Sequence, residues 1–112
     1  MIELPENPTM KDFQQYIHAL EKMHGWLDVD LVHNCFLLGE EVGELFRAIR
    51  KHIRLFDQAE KARTESDGSV DHVAEEIVDV FNYLLALANR LEIDLEKAFI
   101  AKNARNQTRS WV

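Results

Sequence analysis

Two short acidic segments carry the residue types and the spacing that metal-assisted chemistry needs. One is residues 40–44 (EEVGE), and the other is residues 75–79 (EEIVD). Each segment contains a pair of carboxylates three residues apart. These residues are Glu41, Glu44, Glu76 and Asp79. Because residues three apart lie on the same face of a helix, each pair can converge on one point.

The two pairs also occupy matching positions on their helices. Around the helix axis, the first acid lies about 100° from the adjacent apolar residue, and the second about 160° on the same side. The apolar reference residues are Val42 and Ile77. If the two helices pack antiparallel through their apolar stripes, the acidic pairs face each other across a shallow groove.

Such a cluster needs either a cation or a raised carboxylate pKa. Two carboxylates ~5 Å apart repel each other by about 3 kcal/mol at an effective dielectric constant near 20. An all-oxygen set of ligands favours magnesium, manganese or calcium over zinc. The neighbouring Glu40 and Glu75 could act as a general base or orient the ligands, and the sequence does not assign that role. A solvated acidic face, without any metal, is the alternative interpretation.

The elements that carry these acids are predicted to be helices. Thr9, with Asp12 three residues later, predicts the start of a first helix, and Gly25 its end. Asp28 or Asp30 is expected to begin a second, long helix. Its apolar residues recur every three or four positions and are expected to form the core: Leu31, Cys35, Leu38, Val42, Leu45, Phe46, Ile49, Ile53 and Phe56.

The second half of the chain repeats the helical pattern. Residues 61–71 form a polar connection, after which Ser69 or Asp71 is expected to cap a third helix. Its core stripe includes Ile77, and Asp94 is expected to cap a fourth helix. We therefore predict an all-α fold, a four-helix bundle formed by residues 1–112 as a single domain. The two long antiparallel helices carry the acidic segments.

Composition excludes several classes of function. The net charge of −7 and the sequence pI near 5.1 argue against nucleic-acid binding through a basic surface. The single cysteine excludes an intramolecular disulfide. The N-terminal residues do not resemble a secretory signal, and no apolar run reaches the ~20 residues that span a membrane. A cytoplasmic protein with no membrane partner is expected.

The acidic segments and their surroundings resemble a known superfamily. The stretches GEEVGELFRAIRK and AEEIVDVFNYLLALANRLEIDLEKAFIAKNARN are similar to the MazG-like all-alpha NTP pyrophosphatases. That superfamily is marked by Glu-x-x-Glu on one helix and Glu-x-x-Asp on the next. The resemblance covers residues 10–109 and includes Lys102 and Asn106.

The resemblance implies a function and a set of site residues. The four paired acids would bind Mg²⁺, with Mn²⁺ as a possible substitute. The enzyme would cleave a nucleoside triphosphate into a monophosphate and pyrophosphate, as in nucleotide pool sanitation. Lys102 and Asn106 match residues that contact phosphate or sugar, Tyr83 would line the same site, and Trp26 falls in a region that often contacts the base. Relatives form dimers or dimers of dimers.

Three other functions compete with this one. A carboxylate di-iron bundle would need Glu-x-x-His pairs, whereas Glu44 and Asp79 occupy those positions here. A non-catalytic helical adaptor would leave the acids as a solvated face, without a strong magnesium effect. A regulatory protein of the same fold would bind nucleotide without turnover.

Overall fold

The chain folds into α-helices in the part that the structure describes. The computed structural model describes residues 1–54 and 68–110. The helices are α1 (Met10–His24), α2 (Leu31–His52), α3 (Val70–Arg90) and α4 (Leu95–Thr108). Those residues contain no strand, and the predicted all-α fold with four helices is confirmed. No helix in the described ranges has both the length and the apolar character to span a membrane.

The ends of α1 follow the sequence prediction. The Thr9 hydroxyl accepts a hydrogen bond from the Asp12 backbone N–H at 3.3 Å, and the Asp12 carboxylate accepts one from the Thr9 N–H at 2.8 Å. The two bonds form a reciprocal capping box. Gly25 ends the helix in the left-handed region, with φ 74°, where glycine has no Cβ penalty.

The structure shows which residues cap the starts of the other three helices. Asp30, Ser69 and Asp94 each accept a hydrogen bond from a backbone N–H in the first turn of α2, α3 and α4. The distances are 2.8, 3.1 and 3.1 Å. Asp30 rather than Asp28 therefore caps α2, and Ser69 rather than Asp71 caps α3. Residues 55–67, which include Phe56 and most of the predicted connection, lie outside the described residues, as does Trp111.

One compact unit comprises Met1–Val29 and Leu85–Val112. It contains α1, the last turns of α3, and α4. Gln14 of α1 holds these elements together, because its amide nitrogen donates to Asn89 Oδ1 at 3.1 Å and to the Ile93 carbonyl at 2.9 Å. Its Oε1 accepts from the Leu95 N–H at 3.1 Å. The buried apolar residues here are Ile17, Leu85, Ala86 and Ala88.

The second unit comprises Asp30–Leu84 and contains α2 and most of α3. His52, the last residue of α2, donates from Nδ1 to the carbonyl of Gly68 at 3.1 Å, just before α3 begins. The end of one helix is thus next to the start of the other, as in an antiparallel hairpin. Ala48 of α2 is fully buried in this unit.

The predicted core stripe of this unit is largely exposed, so the prediction that these residues form the core is wrong. Phe46 is 64% exposed, Ile53 61% and Ile77 52%. The buried positions on α2 are instead Asn34 and Ala48. One neighbouring helix can cover only part of so wide an apolar face. At about 100° per residue, Asn34 and Ala48 lie on the same side of Val42 as Glu41, so the inward side of α2 is displaced toward the acids relative to our prediction.

Candidate metal centre

Three of the four predicted acids come together in the second unit. Glu41 of α2 and Glu76 and Asp79 of α3 each offer a carboxylate oxygen, and these oxygens all lie within 4.8 Å of one another. Glu76 and Asp79 are three residues apart, so that helical geometry places both on the side facing Glu41. The convergence expected from their spacing is therefore observed for these three residues.

The surroundings of Glu41 disfavour its negative charge. Burial raises the pKa of Glu41, and the charges of Asp79, Glu76, Glu44 and Glu40 raise it further, in that order. Glu41 is half-buried, so water screens these charges less than it would on an open surface. A carboxylate in this position gains stability from a cation or from a proton.

Glu76 is a ligand candidate with a largely buried side chain. Its side chain is 13% exposed, and its Oε2 is buried with no hydrogen-bond partner among the described residues. His72, one turn earlier on α3, places Nε2 3.5 Å from Glu76 Oε1 and Nδ1 3.6 Å from Glu75 Oε2. His72 therefore lies beside one oxygen of Glu76 and leaves the other, Oε2, unsatisfied.

Glu44 does not belong to the three-residue cluster. Its carboxylate lies 3.9 Å from Arg47 Nη1, and both side chains are more than half exposed, so the ion pair is weak. Glu44 is nevertheless near enough for its charge to raise the pKa of Glu41. Glu40 and Glu75, the candidates for a general base, are both exposed.

The chemistry of the cluster fits a hard divalent cation. All three residues supply carboxylate oxygens, which magnesium, manganese and calcium prefer. A buried oxygen without a partner costs free energy, and a cation would satisfy Glu76 Oε2. A ligand set with no histidine also differs from the Glu-x-x-His pattern of di-iron bundles.

The predicted substrate-binding residues are divided between the two units. Tyr83 lies in the same unit as the acids and is partly buried. Trp26, Lys102 and Asn106 lie in the other unit. Trp26 is 51% exposed, Lys102 is exposed, and the Asn106 amide donates to Asn103 Oδ1 at 3.2 Å. Their contact with a substrate stays a prediction.

Glu21 and Arg90 form a pair that no sequence pattern indicated. Arg90 Nη2 donates to Glu21 Oε2 at 3.1 Å, and both side chains are largely buried. The available signal was the position of Glu21, one helical turn after the buried Ile17 on α1. A glutamate on the inner side of a helix needs a partner, but the sequence does not say which one.

Comparison with known proteins identifies the family of the chain. None of the curated proteins matches the chain. The family model of the MazG nucleotide pyrophosphohydrolase domain matches residues 33–110, a range that contains both acidic segments. Because the match covers more than half of the sequence, the chain belongs to the MazG nucleotide pyrophosphohydrolase family.

Proposed function

We propose that the protein is a Mg²⁺-dependent nucleoside triphosphate pyrophosphohydrolase that acts in nucleotide pool sanitation. The reaction converts a (deoxy)nucleoside triphosphate and water into the monophosphate and pyrophosphate. The observation that carries the proposal is the cluster of Glu41, Glu76 and Asp79 oxygens within 4.8 Å, in a chain of this family. The adaptor alternative is less favoured, because a solvated acidic face gives no reason for three carboxylates from two helices to converge.

The acidic residues would hold the cation. Glu41, Glu76 and Asp79 supply oxygens directly, and Glu44 would join them by turning away from Arg47. Bound Mg²⁺, or Mn²⁺ in its place, would neutralise phosphate charge and lower the pKa of a coordinated water. Phosphoryl-type transfer depends mainly on positioning and charge neutralisation, so no covalent nucleophile from the protein is required.

A carboxylate beside the cluster would take the proton from water. Glu40 and Glu75 are adjacent in sequence to Glu41 and Glu76, and both are exposed. The water oxygen forms a bond to the α-phosphorus, the bond from that phosphorus to the α–β bridging oxygen breaks, and pyrophosphate leaves. Either glutamate would accept the proton that the water releases.

The remaining site residues would bind the organic part and the phosphates. We assign Lys102 to phosphate as a point charge, Asn106 to phosphate or sugar, and Tyr83 to substrate binding. The exposed Trp26 would stack on the base. These assignments rest on the match between these residues and the family pattern.

A second copy of the chain would cover the exposed apolar face of α2 and α3. This face comprises Phe46 on α2, Ile53 directly after it, and Ile77 and Val78 on α3, all at least half exposed. Large exposed apolar patches mark interaction surfaces, and identical subunits most often pair around a two-fold axis. We therefore propose a homodimer or a dimer of dimers.

A nucleotide panel tests the proposed function. The assay measures pyrophosphate and monophosphate for the common and the non-standard triphosphates, with Mg²⁺, with Mn²⁺ and with EDTA. We expect equal amounts of the two products for the preferred base, and none with EDTA. Release of orthophosphate instead of pyrophosphate would contradict attack at the α–β junction. Nucleotide binding without any product would favour the regulatory alternative.

A further inference from the structure

We propose that Arg90, together with Glu21, positions the turn that carries Trp26 and thereby sets the affinity for the substrate's base. We call residues 25–29 the Trp26 turn. The inference rests on the proposed function for the role of Trp26. It adds two residues that act through Trp26, and neither belongs to the metal centre.

The Trp26 turn reverses the chain directly after α1. Gly25 is in the left-handed region, and the Trp26 N–H donates to the Glu21 carbonyl at 2.8 Å. The Val29 N–H then donates to the Trp26 carbonyl at 3.2 Å. These bonds satisfy the N–H groups of Trp26 and Val29 and leave several carbonyl oxygens of the turn in need of donors.

Arg90, near the end of α3, supplies those donors from one side chain. Its Nη1 donates to the carbonyls of Leu27 (3.3 Å) and Val29, and its Nη2 donates to the carbonyl of Trp26 at 3.0 Å. The same Nη2 also donates to Glu21 Oε2 at 3.1 Å. One planar guanidinium therefore joins α3, α1 and three carbonyls of the turn.

Because the Arg90–Glu21 pair is largely buried, substitution of either residue is expected to be unfavourable. The side chains of Arg90 and Glu21 are 19% and 10% exposed, so loss of either leaves a charge in a poorly solvated place. A lysine would retain the charge, but its three donors spread from a single nitrogen and do not match a planar fork. Arg90→Lys therefore keeps the ion pair with Glu21 and loosens the turn.

The exposed ring of Trp26 is suited to stack on a base, and the hydrogen bonds from Arg90 would fix the position of that ring. Its ring stacks on His24, with centroids 4.4 Å apart and an interplanar angle of 20°. Half of its surface remains exposed, although tryptophan is among the most costly side chains to leave in water. Stacking of a base on an aromatic side chain contributes about 1–3 kcal/mol, and a fixed ring loses less entropy on binding.

The test uses Trp26 as its own probe. The sequence contains two tryptophans, so Trp111→Phe makes Trp26 the only one. In this background, the four deoxynucleoside monophosphates are titrated without metal, and Trp26 fluorescence reports the Kd. For Arg90→Lys we expect Kd and KM to rise by about tenfold, while kcat stays within about twofold, as for a loss of uniform binding. Glu21→Gln should shift Kd and KM in the same direction.

A matched control separates positioning from general stability. Gln14→Glu removes two donated hydrogen bonds in the same unit without contacting the Trp26 turn. We expect it to lower the melting temperature while Kd and the Trp26 emission maximum stay at the wild-type values. Should Arg90→Lys unfold the chain, Glu21→Gln provides the same comparison, because the neutral amide retains the shape of glutamate.

The outcomes are distinct from those that test hydrolysis. The inference is overturned if Arg90→Lys and Glu21→Gln bind nucleotides like wild type, if Gln14→Glu raises Kd as much as they do, or if wild-type Trp26 emission does not respond to any nucleotide. Nucleotide-dependent quenching that both variants weaken supports it, even in a protein that releases no pyrophosphate. In that case the proposed hydrolysis fails and the role of Arg90 stands.

Discussion

Glu41 on α2 and Glu76 on α3 bring carboxylate oxygens within 4.8 Å of each other, and Asp79 completes the group. At that separation, a pair of carboxylates costs about 3 kcal/mol at an effective dielectric constant near 20. Because both acidic segments lie in one compact unit, the fold keeps these charges together although they repel. Tolerance of such repulsion is common at sites that bind a cation or perform chemistry, because function rather than stability selects the arrangement.

Removal of one ligand charge should abolish turnover with little change in fold. We expect Glu41→Gln, Glu76→Gln and Asp79→Asn each to lower kcat/KM by more than about 100-fold, because each deletes a cation ligand and nearly preserves shape. We also expect Glu44→Gln to remove most turnover, since Glu44 belongs to the family motif. Steady-state pyrophosphate release measures the effect.

The control for this series is Glu3→Gln, which changes an exposed acid outside the helices. It should retain wild-type turnover. Wild-type activity in Glu44→Gln alone would mean that the three clustered carboxylates suffice. Wild-type activity in all four ligand variants would place the metal centre elsewhere.

Metal-free stability should depend on pH through Glu41. Its pKa in the folded chain is raised above 4.5 by burial and then by the charges of Asp79 and Glu76, so the folded state binds a proton more readily than the unfolded state. The unfolding free energy of wild type therefore falls as pH rises through the interval between 4.5 and the raised pKa. Above that interval Glu41 is ionised in both states, and the folded chain carries the full destabilisation from its charge.

Comparison with Glu41→Gln isolates this contribution. In EDTA at neutral pH, we expect Glu41→Gln to be more stable than wild type, with a gap that closes as pH falls below 4.5. Hydrogen bonds from Thr9 and His33 lower the pKa values of Asp12 and Asp30, so these two residues lose stabilising interactions as the pH falls. Wild type and Glu41→Gln both contain them, so their contribution cancels in the comparison. Urea unfolding across this pH range measures the gap. A gap that does not change with pH would contradict the assignment to Glu41.

The exposed apolar face gives a prediction about assembly. Phe46 lies on α2, is 64% exposed and is not one of the acidic ligands. Placing a charge there with Phe46→Glu should separate the copies, because a charged residue buried in an interface without a partner is strongly unfavourable. Light scattering should then report a mass near 13.1 kDa instead of a multiple of it. Gln15→Glu, on the exposed side of α1, is the control, and a wild type at 13.1 kDa would refute the proposed dimer.

Both ends of α1 and the start of α4 could be predicted because they depend on local chemistry. Thr9, Gly25 and Asp94 act through hydrogen bonds or backbone conformations within a few residues, and sequence spacing records such interactions directly. The inward side of α2 could not be predicted in the same way. Apolar periodicity includes Phe46 and Ile53, which are mostly exposed in the chain, and so it does not identify which apolar side chains the chain itself buries.

In the candidate site, too, the features that depend on local spacing could be predicted, and those that depend on tertiary packing could not. The convergence of Glu76 with Asp79 follows from helical spacing, and Glu41 joins them because α2 and α3 form a hairpin. The Arg90–Glu21 pair depends on the packing of residues far apart in sequence, which no local pattern encodes. The motif alone does not predict which acids converge, because Glu44 has the same spacing from Glu41 as Asp79 has from Glu76 but lies outside the cluster of oxygens.

Magnesium should stabilise the wild type and not the ligand variants. A ligand that binds only the folded state at a hundredfold excess over its Kd adds about 2.7 kcal/mol to the unfolding free energy. Glu76→Gln should lose most of this gain, because the buried Oε2 without a partner in the described chain is replaced by an amide group that binds Mg²⁺ poorly. Without metal, the same variant should be at least as stable as wild type, since it removes one of three mutually repelling charges. Melting curves with Mg²⁺ and with EDTA, recorded for wild type, Glu76→Gln and Glu3→Gln, measure the stability gained from Mg²⁺ and the stability without metal. Equal magnesium shifts in all three proteins would mean that Mg²⁺ binds at residues other than this cluster.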